Sequence, residues 1–241
     1  MKKKLLFRAD GNSKIGLGHI YRLIALAEFY KDEYDFFFLT TSTTSTSTFP
    51  KDYKVKLLPS NILTKKEPKW ISENYPSSEY VVFLDGYQFD SSYQKELKTY
   101  NYKLIFIDDL CNNYMYADVV VNHAPMAINC DYQSEKYTDF ALGTKYALLR
   151  NSFNEAARQN RDINKIENVF ICFGGSDFKD LTLKATNAIK EIKEIKNIHV
   201  VVGKAYKHKA IFKIAEENKK INIYKNLDEY FHSLKVNTNT C

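Results

Sequence analysis

FRADGNSKIGLGHIYRLIALAEFY, residues 7–30, decides the reading of the fold. It starts at the end of a short apolar run, Leu5, Leu6 and Phe7, whose length suits a buried strand. Gly11, Gly16 and Gly18 follow, three of only 8 glycines in the chain. His19 stands at the join, and behind it Ile20, Leu23, Ile24 and Ala27 recur at helical spacing. A strand, a glycine turn and a helix make one α/β unit. Glycines lacking Cβ let backbone approach a ligand and reach positive φ. The start of the next helix offers unpaired N–H groups to an anion such as a phosphate. The dinucleotide fingerprint G-x-G-x-x-G is not met, because Tyr21 occupies the third glycine position, so a nicotinamide or flavin cofactor is disfavoured. At a helix start the dipole favours an uncharged imidazole, which is what a general base needs. A histidine that only caps or packs there fits the spacing equally well.

Outward from this unit the alternation continues. Strands are expected at 35–39, 54–58, 80–84, 103–107 and 118–122, with a short helix at 91–99, which points to a parallel, helix-covered sheet. The stretch TTSTTSTST, residues 40–48, is polar and low in complexity and reads as a solvated, mobile loop. A polar helix at 152–161 and a charged stretch precede a second round: a strand at 168–173, a glycine turn at 174–177, a helix from 181 to 192, a strand at 198–202, a helix at 207–217, a strand at 221–224 and a helix at 227–234. The chain thus divides into two α/β halves, 1–160 and 161–241. In an open parallel sheet, ligands bind beyond the carboxyl ends of the strands. Arg8 and Asp10, Asp85 and Tyr87, Asp108 and Asp109, and Gly174, Gly175, Ser176 and Asp177 all fall at such ends. They argue for a site between the halves. The 174–177 turn also reads as a tight βα turn capped by Asp177.

The remaining composition narrows the class. Hydrophobic residues make up 44% and charged residues 27%, as in an ordinary globular protein, and the net charge of +6 is spread over many lysines. No basic patch interleaved with aromatics appears, so nucleic-acid binding is not expected. Cys111, Cys130, Cys172 and Cys241 form no CxxC or Cys/His pattern, so no metal is expected, and they read as reduced thiols. No signal peptide or apolar run of membrane length is present, and a cytoplasmic monomer is expected.

FRADGNSKIGLGHIYR (residues 7–22), LDGYQF (84–89), IDD (107–109), ADVVVNH (117–123), LGTKYALLRNSF (142–153) and VFICFGGSD (169–177) together resemble a family of nucleotide-sugar hydrolases. That family removes UDP from UDP-2,4-diacetamido-2,4,6-trideoxy-β-L-altropyranose in pseudaminic acid biosynthesis. The resemblance runs in order from residue 5 to about residue 180. It implies two Rossmann-like lobes of GT-B type with a cleft between them, no cofactor, and inverting attack of water on the anomeric carbon. It assigns catalysis to His19 and Tyr87. Substrate contacts fall on Arg8, Asp10, Gly16, Gly18, Arg22, Asp85, Arg150, Gly174, Gly175, Ser176 and Asp177. The family continues with a further strand, turn and helix where this chain ends in VNTNTC, so the second lobe is expected to be C-terminally truncated. A GT-B glycosyltransferase using the same UDP-sugar, and an inactive remnant, are the competing readings.

Overall fold

The computed structural model describes residues 3–12, 15–158, 164–174, 177–203 and 206–225. The chain divides into two compact units, Met1–Gln159 and Asn160–Cys241.

The first unit is built on strands β1 (Lys4–Ala9), β2 (Phe36–Thr40), β3 (Val55–Leu57), β4 (Tyr80–Asp85), β5 (Lys103–Ile107), β6 (Val119–Asn122) and β7 (Asp139–Leu142). Its helices are α1 (Gly18–Tyr30), α2 (Glu67–Asn74), α3 (Ser91–Thr99) and α4 (Asn151–Ala157). The strands pair in parallel in the order β3-β2-β1-β4-β5-β6-β7. Alternation with a period of two sorts their side chains onto two cores. Leu5, Phe7, Phe38 and Phe83 pack against Ile20, Leu23 and Ala27 of α1. Leu6, Leu39, Val82 and Leu84 pack against Ile71 of α2 and Tyr93 and Leu97 of α3. Both faces of the central strands are therefore covered, as parallel sheets require.

The second unit pairs β8 (Asn168–Cys172), β9 (Asn197–Val201) and β10 (Ile221–Tyr224) in parallel, in the order β10-β9-β8. Helices α5 (Leu181–Ile189) and α6 (Ala210–Glu217) alternate with these strands. Ile171, Ile198, Val200, Ile211 and Ile221 form its core. The expected helix at 227–234 lies outside the described residues.

Four expectations need correction. Residues 40–48 are not a free loop: Thr40 and Thr44 are buried. Thr40 Oγ1 donates to Asp10 at 3.0 Å, and Thr44 Oγ1 accepts from Gly11 N at 3.1 Å. These two hydroxyls are engaged by the first glycine turn, while Ser42, Thr43, Ser45, Thr46 and Ser47 are exposed. Helix α2 and strand β7 were not foreseen, being short and without a clear apolar period. Cys111 and Cys130 are joined in a disulfide, with Cα atoms 6.1 Å apart, because they follow neighbouring strands β5 and β6; Cys172 is free and exposed. The strand and helix ends otherwise differ from expectation by a few residues, and no helix among the described residues is long and apolar enough to cross a membrane.

Gly11 sits where the turn meets α1. A Cβ there would lie 2.8 Å from Ile20 Cγ1 and 3.1 Å from Leu17 Cδ2. Ile20 is fully buried and has no room to retreat. Gly11→Ala is expected to destabilise the first unit by about 1–3 kcal/mol through overpacking, read as a lower midpoint in urea denaturation.

Candidate functional site

The carboxyl ends of β1, β4, β5 and β6 lie side by side in the sheet, and α1 starts above them. His19 and Arg22 stand three residues apart in α1, so they share one face of the helix. Asp85, the last residue of β4, is fully buried and meets both. His19 Nδ1 lies 2.7 Å from Asp85 Oδ1. Arg22 donates Nε to Asp85 Oδ2 at 2.8 Å and Nη2 to Asp85 Oδ1 at 2.6 Å. Arg22 Nη1 donates to Asp109 Oδ2 at 2.9 Å, just beyond β5.

The donor inventory assigns the tautomer. Arg22 Nη2 also lies 2.7 Å from His19 Nδ1. A guanidinium only donates and an ionised carboxylate only accepts. With Nδ1–H donating to Asp85, that oxygen takes two hydrogens and the third goes to its neighbour Oδ2. We therefore assign the proton to Nδ1, which leaves Nε2 as an acceptor. Burial opposes the charge on Arg22, but the hydrogen bonds and charge of Asp85 and then Asp109 outweigh it and hold the guanidinium above its ordinary range.

Tyr87 follows β4 and is 58% exposed. Its ring meets His19 edge to face, with centroids 4.8 Å apart, and its hydroxyl donates to Asp109 Oδ2 at 3.4 Å. Burial, then the negative charge of Asp109, raises the Tyr87 hydroxyl above its ordinary value, so it stays protonated. His19, Arg22, Asp85, Tyr87, Asp109 and Asn113 line one small recess. Of the residues expected from the sequence, it brings together His19, Tyr87, Arg22 and Asp85.

The other expected residues are not among those that line the recess. Arg8 is fully buried, which corrects its assignment as a substrate contact. Its Nε donates to Glu67 Oε1 at 2.5 Å and its Nη2 to Glu67 Oε2 at 3.2 Å. Its Nη1 lies 2.7 Å from Asp10 Oδ1 but outside hydrogen-bond angles, and its guanidinium stacks 5.1 Å from the Phe89 ring centre. Asp10 also accepts from Thr41 N at 2.8 Å and from Gln88 Nε2 at 3.1 Å, so it ties three strand ends together behind the recess. Gly16 has φ +82°, a conformation that suits glycine, and space is open around where Cβ atoms of Gly16 and Gly18 would project. Arg150 is exposed and stacks over Tyr21 and Phe153 at 5.7 and 5.3 Å.

In the second unit, Asp177 accepts from Leu181 N at 3.0 Å and Thr182 N at 2.8 Å. Its carboxylate accepts from the first N–H groups of α5, the capping alternative foreseen for this turn. Gly174 has φ +78°; Gly175 and Ser176 lie outside the described residues. Sequence reasoning counted Asp109 among the strand-end residues that argue for a site but gave it no role in substrate contact or catalysis. Glu67 gave no signal, since it meets Arg8 across 59 residues.

Burial raises the Asp10, Asp118 and Asp177 carboxyls, yet each ends below its ordinary 3.8: the adjacent Arg8 guanidinium, a hydrogen bond from Lys98 and hydrogen bonds from Thr182 respectively outweigh it. A carboxylate lowered in the folded state adds stability that is complete above its unfolded value and is lost as pH falls through the folded value. Stability is expected to be flat with respect to these groups above about pH 5 and to fall steeply below about pH 4. Denaturation midpoints measured between pH 2.5 and 7 check this.

No protein-family model matches the chain. The chain is 29% identical to the UDP-2,4-diacetamido-2,4,6-trideoxy-β-L-altropyranose hydrolase of Campylobacter jejuni, over 80% of this chain and 68% of that protein. It is 27% identical to the spore coat polysaccharide biosynthesis protein SpsG of Bacillus subtilis, over 83% of this chain and 59% of that protein. An uncharacterized protein of Methanocaldococcus jannaschii is 29% identical over 97% of this chain, which spans 50% of that protein's length. Among solved structures, MurG of Acinetobacter baumannii matches with a TM-score of 0.54 at 11% identity, over 92% of this chain and 65% of that one. UDP-N-acetylglucosamine 2-epimerase of Rickettsia bellii matches with a TM-score of 0.51 at 11% identity, over 95% and 71%. Both are GT-B proteins, and this chain has their mixed α/β, parallel-sheet fold.

Proposed function

We propose that the chain hydrolyses a UDP-linked 2,4-diacetamido-2,4,6-trideoxy sugar to free sugar and UDP, with inversion, in pseudaminic acid biosynthesis. The observation that carries this reading is the anchoring of His19 Nδ1 on the buried Asp85, which leaves Nε2 as the proton acceptor. In the reaction, a water oxygen bonds to the anomeric carbon as its proton passes to His19 Nε2. The bond from that carbon to the β-phosphate oxygen breaks, and UDP leaves with the electron pair. Tyr87, protonated and beside His19, donates to Asp109 and offers its hydroxyl oxygen to the sugar as an acceptor. Arg22 and Asp109 hold Asp85 and Tyr87 in register. The named activity of the Campylobacter jejuni relative supports the substrate class.

The reading expects a cytoplasmic monomer. The test is incubation with UDP-2,4-diacetamido-2,4,6-trideoxy-β-L-altropyranose without any acceptor. Release of UDP and free sugar supports hydrolysis. Turnover only when a sugar acceptor is added would make the chain a transferase instead.

A further inference from the structure

The His19 recess has a neighbour. Past Asp108 and Asp109 the chain turns through Cys111, whose φ of +55° is left-handed. Asp108 holds this turn: its carboxylate accepts from Cys111 N at 2.9 Å and from Tyr132 Oη at 2.7 Å. Residues 111–114 are tied to residues 131–133 by the Cys111–Cys130 disulfide and by Met115 N, which donates to Gln133 O at 2.8 Å. A groove of about 230 Å³ lies here, lined by Asn112, Asn113 and Tyr114 from one segment and Asp131 and Gln133 from the other. Asn113 lines both this groove and the His19 recess, so the two are contiguous.

Most polar side chains of the recess are engaged with one another. His19 and Arg22 hold Asp85, and Tyr87 donates to Asp109. The groove differs. Among the described residues, no hydrogen bond engages the side chain of Asn112, Asn113, Asp131 or Gln133. Asn113 is half-buried and the other three are exposed, so a ligand seated over the recess has open access to them. Three of the four are carboxamides, each with two N–H donors and one acceptor oxygen. No lysine or arginine lines the groove, and the carboxylate of Asp131 repels a phosphate. An acetamido group, with one N–H and one C=O, is uncharged and complementary to a carboxamide. The volume is below the roughly 300–1,000 Å³ of pockets that take a whole small-molecule ligand, so the groove takes part of one.

We infer that this groove is the subsite for an acetamido group of the sugar whose anomeric carbon faces His19, with Asn113 and Gln133 as its specificity residues. This rests on the UDP-sugar reading above and adds to it the surface that recognises the sugar. Neither side chain makes an internal hydrogen bond, so truncating it removes none.

The test is titration calorimetry of wild type, Asn113→Ala and Gln133→Ala with two probes, UDP alone and the UDP-2,4-diacetamido sugar, together with thermal melts. Each variant is expected to bind the UDP-sugar about three- to tenfold more weakly, the worth of one hydrogen bond between neutral groups. UDP affinity and melting temperature should stay unchanged. Wild-type affinity for the UDP-sugar in both variants would overturn the assignment and leave the groove to solvent. A loss in Asn113→Ala alone would also overturn it, confining the contact to the recess. So would an equal loss for UDP, or a lowered melting temperature, which marks a structural role. Wild type that binds neither probe overturns the UDP-sugar reading itself, and the subsite with it.

Discussion

His19→Asn is expected to lower turnover of the UDP-sugar by about 10²–10⁴-fold, the usual worth of a general base, while the dissociation constant of UDP changes little. Asparagine retains a polar group of similar reach but cannot take the proton. Asp85→Asn should fall in the same range for a different reason. Its amide offers a donor where Nδ1–H and Arg22 both donate, so the imidazole loses the partner that fixes its tautomer and its orientation. The two effects should not add, because both act through one Nε2 lone pair; a double variant no slower than the slower single variant would show it. Steady-state kinetics with calorimetric UDP binding is the measurement. Near-normal kcat in His19→Asn would reduce the histidine to a packing residue.

The second large effect is on stability. Glu67→Leu is expected to cost about 3–5 kcal/mol, because it leaves a fully buried guanidinium with Asp10 as its one remaining carboxylate partner. Tyr93, whose hydroxyl donates to Glu67 Oε1 at 2.7 Å, loses its acceptor as well. Replacing both partners, Arg8→Met with Glu67→Leu, should recover part of the loss, since the buried guanidinium goes but Asp10 keeps only the neutral donors Thr40, Thr41 and Gln88. Urea denaturation of the single and double variants measures both statements. A single variant as stable as wild type would mean that the Arg8 charge reaches water, against its observed burial.

Residues 7–30 were legible because two local signals agree there: the apolar spacing of α1 and the glycine turn before it. The core strands were legible for the same reason, as short β-branched and aromatic runs. What failed was long-range. All the hydroxyls of residues 40–48 looked solvent-facing, and composition cannot reveal that Asp10 and Gly11 engage those of Thr40, Thr41 and Thr44 while Ser42, Thr43, Ser45, Thr46 and Ser47 are indeed exposed. Arg8 looked like a ligand contact because it stands beside Asp10 after a strand. Its partner Glu67 sits on a short helix with proline at its second position and little apolar period. The Cys111–Cys130 pairing depends on the adjacency of β5 and β6, which spacing alone does not encode. At the recess, His19, Arg22 and Asp85 were foreseen singly. Their joining into one chain of hydrogen bonds needed the register that sets β4 beside β1.

Hydrolysis of the UDP-2,4-diacetamido sugar in ¹⁸O water, with mass spectrometry of both products, tests the central claim most directly. Attack of a His19-activated water on the anomeric carbon predicts one ¹⁸O in the released sugar and none in UDP. Label in UDP would mean attack at phosphorus and would contradict the role given to His19.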